Sequence, residues 1–151
     1  TVQEHMQFVA QAYGVKEWKE KADEYLELFE LADKKDKLGR DLSKGMRQKV
    51  SICCALLPDP QVLFFDEPMI GLDPKAIKNT KKIFKQLKEA GKTILVSTHL
   101  IDSVESIADR VMILKNGNIV GNDSISNLKQ QFVQEEGTTL EDLFLEMTKD
   151  E

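Results

Sequence analysis

Cysteine is nearly absent from this sequence: Cys53 and Cys54 are the only two, and they are neighbours. On a helix, adjacent side chains diverge around the axis, so no disulfide framework can be built from them. With no second cysteine pair or nearby histidine they also lack metal-site spacing, and small core-facing residues in a reducing cytoplasm are the expectation. Long apolar runs are missing as well. None approaches the roughly 18 to 20 residues needed to cross a bilayer, and the opening residues lack the basic-then-apolar order of a secretion signal. Any link to a membrane is therefore expected to run through a partner. A basic excess is lacking too: 21 Lys and Arg face 26 Asp and Glu, a formal net charge of -5, so no nucleic-acid partner is expected. There is no internal repeat or low-complexity tract. What remains, 151 residues with 41% hydrophobic and 31% charged side chains, suits one soluble domain, or a large piece of one, with a real core.

Periodicity supplies the elements. Val2, Met6, Val9 and Tyr13 recur at helical spacing up to Gly14, and Trp18, Ala22, Tyr25, Phe29 and Ala32 form a second stripe. Both stripes read as core faces, since nothing polar interrupts them. The charged segment from Asp33 to Arg40 reads as a connection. A third helix follows Ser43, with Met46, Val50, Cys53 and Leu57 on one face, and must end near Pro58. Val62-Leu63-Phe64-Phe65 is a continuous apolar run of strand length closed by Asp66, the pattern of a strand buried on both faces of a parallel sheet. Asp73 caps the next helix, Pro74 occupies its first turn, Ile77, Phe84 and Leu87 mark its inner face, and Gly91 ends it. Thr93 to Ser97 is a second strand, which completes a parallel crossover unit. A short helix from about Ile101 to Asp109 follows. Val111–Leu114 and Asn118–Val120 then flank Asn116-Gly117, a hairpin signal. Helices are expected from about Ser124 to Phe132 and around Leu140, Leu143, Phe144 and Met147, the latter behind the capping pattern Thr138-x-x-Glu141.

Three features carry chemistry. Asp66 and Glu67 stand at the carboxyl end of a strand, where open parallel sheets place ligands; one carboxylate there can hold Mg²⁺ and its neighbour can orient or deprotonate a water. Taken alone, the pair could equally be the start of a solvated loop. Ser43-Lys44-Gly45 precedes a helix start, whose amides and positive dipole end attract anions, though a plain N-cap has the same residues. His99 follows the second strand inside Ser97-Thr98-His99, a place from which an imidazole can bond a phosphoryl oxygen, whereas His5 in the first helix reads as structural. Gly71-Leu72-Asp73 adds a turn and a further acid to the same rim.

The order of these segments is more specific than any one of them. Leu42-Ser43-Lys44-Gly45-Met46-Arg47-Gln48, then Val62-Leu63-Phe64-Phe65-Asp66-Glu67-Pro68, then Gly71-Leu72-Asp73-Pro74, then Ser97-Thr98-His99 closely resembles the ABC ATPase family, and the resemblance covers essentially the whole chain. It implies an α/β fold: a partial P-loop NTPase (RecA-like) core of parallel strands and flanking helices, plus a helical subdomain. The implied division is 1–57 helical signature subdomain, 58–123 later part of the catalytic core and 124–151 helical tail. It further implies ATP and Mg²⁺ as ligands, with Asp66 serving the metal and Glu67 activating water. In the family the signature loop, here Ser43, Lys44, Gly45 and Met46, contacts the γ-phosphate of ATP held by a second ATPase subunit in a head-to-tail dimer. Asp73 matches the loop that communicates across that dimer and His99 the switch histidine. The implied setting is peripheral, on the cytoplasmic face of the cell membrane against transmembrane permease subunits. One departure is Lys44, where the family usually has glycine, a variant associated with export-type bacterial members; the Leu140-Glu141-Asp142-Leu143-Phe144 stretch resembles exporters too.

The family also needs a P-loop, G-x-x-x-x-G-K-[ST]. Gly91-Lys92-Thr93 mimics its end, but position 86 is Gln86 and the triplet leads from helix into strand, so it reads as a helix cap. The P-loop half is therefore expected to be absent, with the chain a piece that begins beyond the glutamine loop. The rival reading is a soluble ABC-type ATPase of translation or DNA repair, which would show a duplicated cassette or long coiled-coil insertions. A third is a non-catalytic binding module, against which Asp66, Glu67 and His99 speak together.

Overall fold

The computed structural model describes residues 1–132 and 139–149, in two compact units, Thr1–Thr98 and His99–Glu151. The first unit begins with helices α1 (Val2–Ala12), α2 (Trp18–Leu28) and α3 (Lys44–Leu56), with single 3₁₀ turns at Ala32–Lys34 and Gly39–Asp41. The three helices pack on one another, burying Val2, Met6 and Ala10 of α1, Ala22 and Leu26 of α2, and Val50, Ile52, Cys53 and Leu56 of α3.

The stripes differ from expectation in two places. Tyr13 is 72% exposed because it lies just past the end of α1, as its C-cap residue, where helical periodicity no longer directs it; Ala10 takes the inward place. Ala32 is exposed because α2 ends at Leu28 and Glu30 turns left-handed (φ 58°). The amides of Glu30 and Leu31 then bond back to Glu27 and Leu26, and Leu31 rather than Ala32 enters the core.

Strand β1 (Val62–Asp66), helix α4 (Pro74–Glu89) and strand β2 (Thr93–Ser97) form the expected unit, with β1 and β2 parallel and Asp66 level with Ser97. Asp73 caps α4 through the Ala76 amide (2.9 Å). Gly91, at φ 80°, turns the chain out of the helix while the Lys92 amide bonds back to Leu87, so Gly91-Lys92-Thr93 is a helix cap. Asn79 of α4 donates to the Leu28 carbonyl (2.7 Å), tying α4 to the end of α2. Leu63, Phe65, Ala76, Ile83 and Phe84 are buried, with the Phe65 and Phe84 rings 4.9 Å apart. The expected burial of β1 on both faces is not met among the described residues: Val62 is 48% and Phe64 74% exposed, as is 53% of Leu95 on β2. Successive strand residues point to opposite faces, and α4 covers one face only.

In the second unit α5 (Ile101–Glu105) is shorter than expected, and β3 (Val111–Lys115) and β4 (Asn118–Asp123) form the antiparallel hairpin. Its turn has positive φ at both Asn116 and Gly117, the geometry that the dipeptide favours. Helices α6 (Ile125–Phe132) and α7 (Leu140–Thr148) follow, and Ile113, Leu128, Leu140 and Leu143 form their shared core. Thr138 lies outside the described residues; the capping box in front of α7 is made by Thr139 and Asp142, one residue later than the expected pattern.

Both thiols are free and buried. Burial pushes the Cys54 thiol up to about 11 and raises that of Cys53 as well, which keeps both protonated and unreactive at neutral pH. Titration with a thiol-specific disulfide reagent at pH 7.5 should therefore report two thiols only after denaturant unfolds the chain. Rapid labelling of the native protein would contradict this packing.

Candidate functional site

The site grows from the end of β1. Because Asp66 pairs in register with Ser97, their side chains meet there, and the Ser97 hydroxyl donates to Asp66 Oδ1. One residue on, the Glu67 amide donates to the Ser97 carbonyl (2.8 Å), and the Thr98 hydroxyl donates to Glu67 Oε2 (2.8 Å). Glu67 sits at φ 46°, in the left-handed region, where an ordinary side chain costs of order 1 kcal/mol or more. Asp66 is exposed and Glu67 half-buried. The chain then folds through buried Pro68 and Met69 and a left-handed Gly71 (φ 75°) to Asp73.

The start of α3 is seated on this loop. Ser43 caps the helix by accepting from the Met46 amide (3.2 Å). Gly45 lies so close to the Gly71 carbonyl that a Cβ there would stand 2.4 Å from its oxygen. Gln48 Nε2 donates to the Pro68 carbonyl (3.2 Å) and lies 3.4 Å from that of Glu67. Lys49, with a side chain only 11% exposed, reaches Asp73 Oδ2 at 2.7 Å. The Lys49 ammonium, then the Ala76 amide, hold the Asp73 carboxyl below the usual carboxylate range. Asp73 thus has two jobs, one oxygen capping α4 and the other neutralising a buried cation.

The structure therefore brings together Asp66, Glu67, the loop to Asp73, and the Ser43–Met46 helix start, all within the first unit. His99 is the first residue of the second unit, bonded directly to Thr98, and is exposed. Gln48, Ser97 and Thr98 had no role in the sequence reading beyond membership of a motif, and Lys49 had none. A lysine three residues after Met46 and four before Cys53, on the apolar face of α3, was the available signal for Lys49; nothing local marks the others, whose partners are 19 or more residues away. Among the described residues no cluster of three His, Cys, Asp or Glu side chains could hold a metal unaided. A lone exposed strand-end carboxylate suits Mg²⁺, which keeps waters and is held by one or two carboxylates plus phosphate oxygens.

Residues 1–70 match the family model described as ABC transporter. The ABC-type transporter ATP-binding protein EcsA of Bacillus subtilis is 37% identical over the whole of this chain, which spans 62% of that protein. The daunorubicin/doxorubicin resistance ATP-binding protein DrrA of Streptomyces peucetius is 33% identical over 79% of the chain and 36% of its own length. A solved structure described as the ATP binding subunit of an ABC transporter superposes on 99% of the chain with a TM-score of 0.92 and 35% identity, and the chain covers 62% of it.

The seating of α3 is testable by stability. Gly45→Ala should lower the unfolding free energy by about 1–3 kcal/mol, since a backbone carbonyl must move to admit the methyl. Gly39→Ala, at a position with open space around it, serves as the control and should be near neutral. For the ion pair, a depressed Asp73 pKa stabilises the fold above the unfolded value of about 3.9, and that stability is lost as pH falls through the lower folded value. Urea unfolding of Asp73→Asn should therefore show a deficit at pH 7 that shrinks below about pH 4. A deficit independent of pH would assign the loss to something other than the pair with Lys49.

Proposed function

The chain belongs to the ABC transporter ATP-binding family, and from that premise we propose that it forms the signature and carboxylate portion of an ATP-hydrolysing motor subunit that drives an exporter. The observation that carries this reading is the docking of two candidate phosphate-handling elements on one loop. The helix start at Ser43–Met46 is seated on the segment that runs from Asp66 and Glu67 to Asp73.

In this reading Asp66 holds Mg²⁺, which supplies charge neutralisation for the phosphates. Glu67 accepts a proton on its carboxylate from the water that attacks the γ-phosphorus, while the bond to the β-phosphate oxygen breaks. The amides at the start of α3, with Ser43 and Gly45 bordering them and Lys44 adding a positive charge, face the γ-phosphate of ATP bound to a second subunit in a head-to-tail dimer. Gly45 suits this because a Cβ there would meet the Gly71 carbonyl, so glycine lets the helix start seat on the loop that carries the carboxylates. Met46, whose amide is engaged by Ser43, completes the turn. Asp73 relays between subunits from a position set by Lys49, and His99 bonds the γ-phosphate.

Residues 1–57 act as the helical signature subdomain that docks on permease subunits, 58–123 as the later part of the catalytic core, and 124–151 as a helical tail. No helix among the described residues is long and apolar enough to cross a membrane, which accords with a peripheral place on the inner face of the cell membrane, reached through those partners. Export is supported by Lys44, by the Leu140–Phe144 stretch and by the resistance function in the name of the Streptomyces relative.

The sequence holds no P-loop, so this chain by itself should give no tight Mg-ATP binding in calorimetry and negligible hydrolysis. In the full-length subunit Glu67→Gln should lower turnover by about 10²–10⁴-fold while ATP remains bound. Phosphate release at the parental rate from that variant would remove Glu67 from its role.

A further inference from the structure

The end of β2 presents two consecutive hydroxyls, and each is matched to one of the two consecutive carboxylates at the end of β1. Parallel register makes the first match, Ser97 to Asp66. The second lies one residue beyond the ladder, where side chains of regular strands would swing to the other face. There the backbone is fixed independently: the Glu67 amide bonds the Ser97 carbonyl at 2.8 Å, the Ile70 amide bonds the Glu67 carbonyl at 3.3 Å, and Glu67 is held at φ 46°. In that conformation its carboxylate receives the Thr98 hydroxyl at 2.8 Å.

We propose that Thr98 is a positioning residue for Glu67, its hydroxyl fixing the orientation in which the carboxylate is presented to the attacking water; this rests on the general-base reading given above. A glutamate has three side-chain torsions, and the last, about the carboxylate, is broad and scarcely self-restrained. Backbone geometry at Glu67 settles where the side chain departs from the chain but leaves those torsions open. The bond to Oε2 closes the last of them. Threonine suits the task because branching at Cβ makes its χ1 stiff, and because a hydroxyl bonded to an ionised oxygen is a stronger anchor than one bonded to a neutral group. Covalent neighbourhood adds a consequence: Thr98 precedes His99, so the stretch that carries the candidate phosphate sensor also carries the anchor of the candidate base.

The test uses the full-length subunit assembled with its membrane partners, with ATP turnover and nucleotide affinity measured separately for each variant. Thr98→Val keeps the shape and removes the hydroxyl; it should lower kcat by about 10- to 100-fold, the scale of a misoriented reacting group, while KM for ATP stays within about threefold. Thr98→Ala, which cannot clash, should show the same loss, and Thr98→Ser, which restores the donor, should return kcat to within about threefold of the parent. In a Glu67→Gln background Thr98→Val should cost nothing further, as expected of two residues acting through one group. Parental kcat in both Thr98→Val and Thr98→Ala, a Thr98→Ser variant as slow as Thr98→Val, a loss confined to KM, or full additivity with Glu67→Gln would each overturn the proposal. If Glu67→Gln itself turns over at the parental rate, the general-base reading falls and this inference with it. If Glu67→Gln is impaired while Thr98→Val keeps the parental kcat, the positioning role alone is wrong.

Discussion

Parallel pairing of β1 with β2 is the constraint on which the rest of the first unit depends. It sets Asp66 opposite Ser97 and ends both strands at the same level, so that everything that follows β1 and everything that follows β2 is delivered to one edge. The pairing requires a crossover, and α4 supplies it, capped by Asp73 at its start and released by Gly91 at its end. A slip of one residue would turn Leu63 and Phe65 away from α4 and bring Val62 and Phe64 in. The same slip would separate the carboxylates from the hydroxyls that now bond them. Core packing and site geometry are thus set by one register.

The second constraint is the seating of α3. A helix start is held against the loop from Glu67 to Asp73 by a close approach, a side-chain amide and an ion pair, from Gly45, Gln48 and Lys49 respectively. The three lie within about one turn of α3, so the direction of its first amides is tied to the loop carrying the carboxylates. Burying an ammonium group is costly unless it is paired. Lys49 is tolerable at 11% side-chain exposure because Asp73 is there to meet it. A lysine in the core of a helical layer thereby becomes a reason for the loop to close in one way.

Much of this was legible beforehand, and the misses have common causes. Helix starts at Ser43 and Asp73, the stop at Gly91 and the hairpin at Asn116-Gly117 all depend on local backbone chemistry, which neighbouring residues declare. Inward faces were read less well: Tyr13 and Ala32 continue a periodic pattern on paper, but each lies beyond the end of its helix, where the spiral no longer governs direction. Glu30 explains the second case, since a glutamate in the left-handed conformation ends α2 where glycine would have signalled the stop. The apolar run Val62 to Phe65 implied two covered faces, and one is covered by α4. Hydrophobicity states a preference for burial, not which neighbour provides it.

By itself the sequence determined the order of elements, their caps and turns, and the family to which the chain is related, because each of those is encoded over a few consecutive residues or in the succession of short motifs. Tertiary structure alone decided which distant residues meet: Gln48 with the Pro68 carbonyl, Lys49 with Asp73, Thr98 with Glu67. Those contacts join residues 20 to 31 positions apart. They arise only once strand register and helix packing have fixed three chain segments in space, and no local pattern of propensity or charge specifies that arrangement.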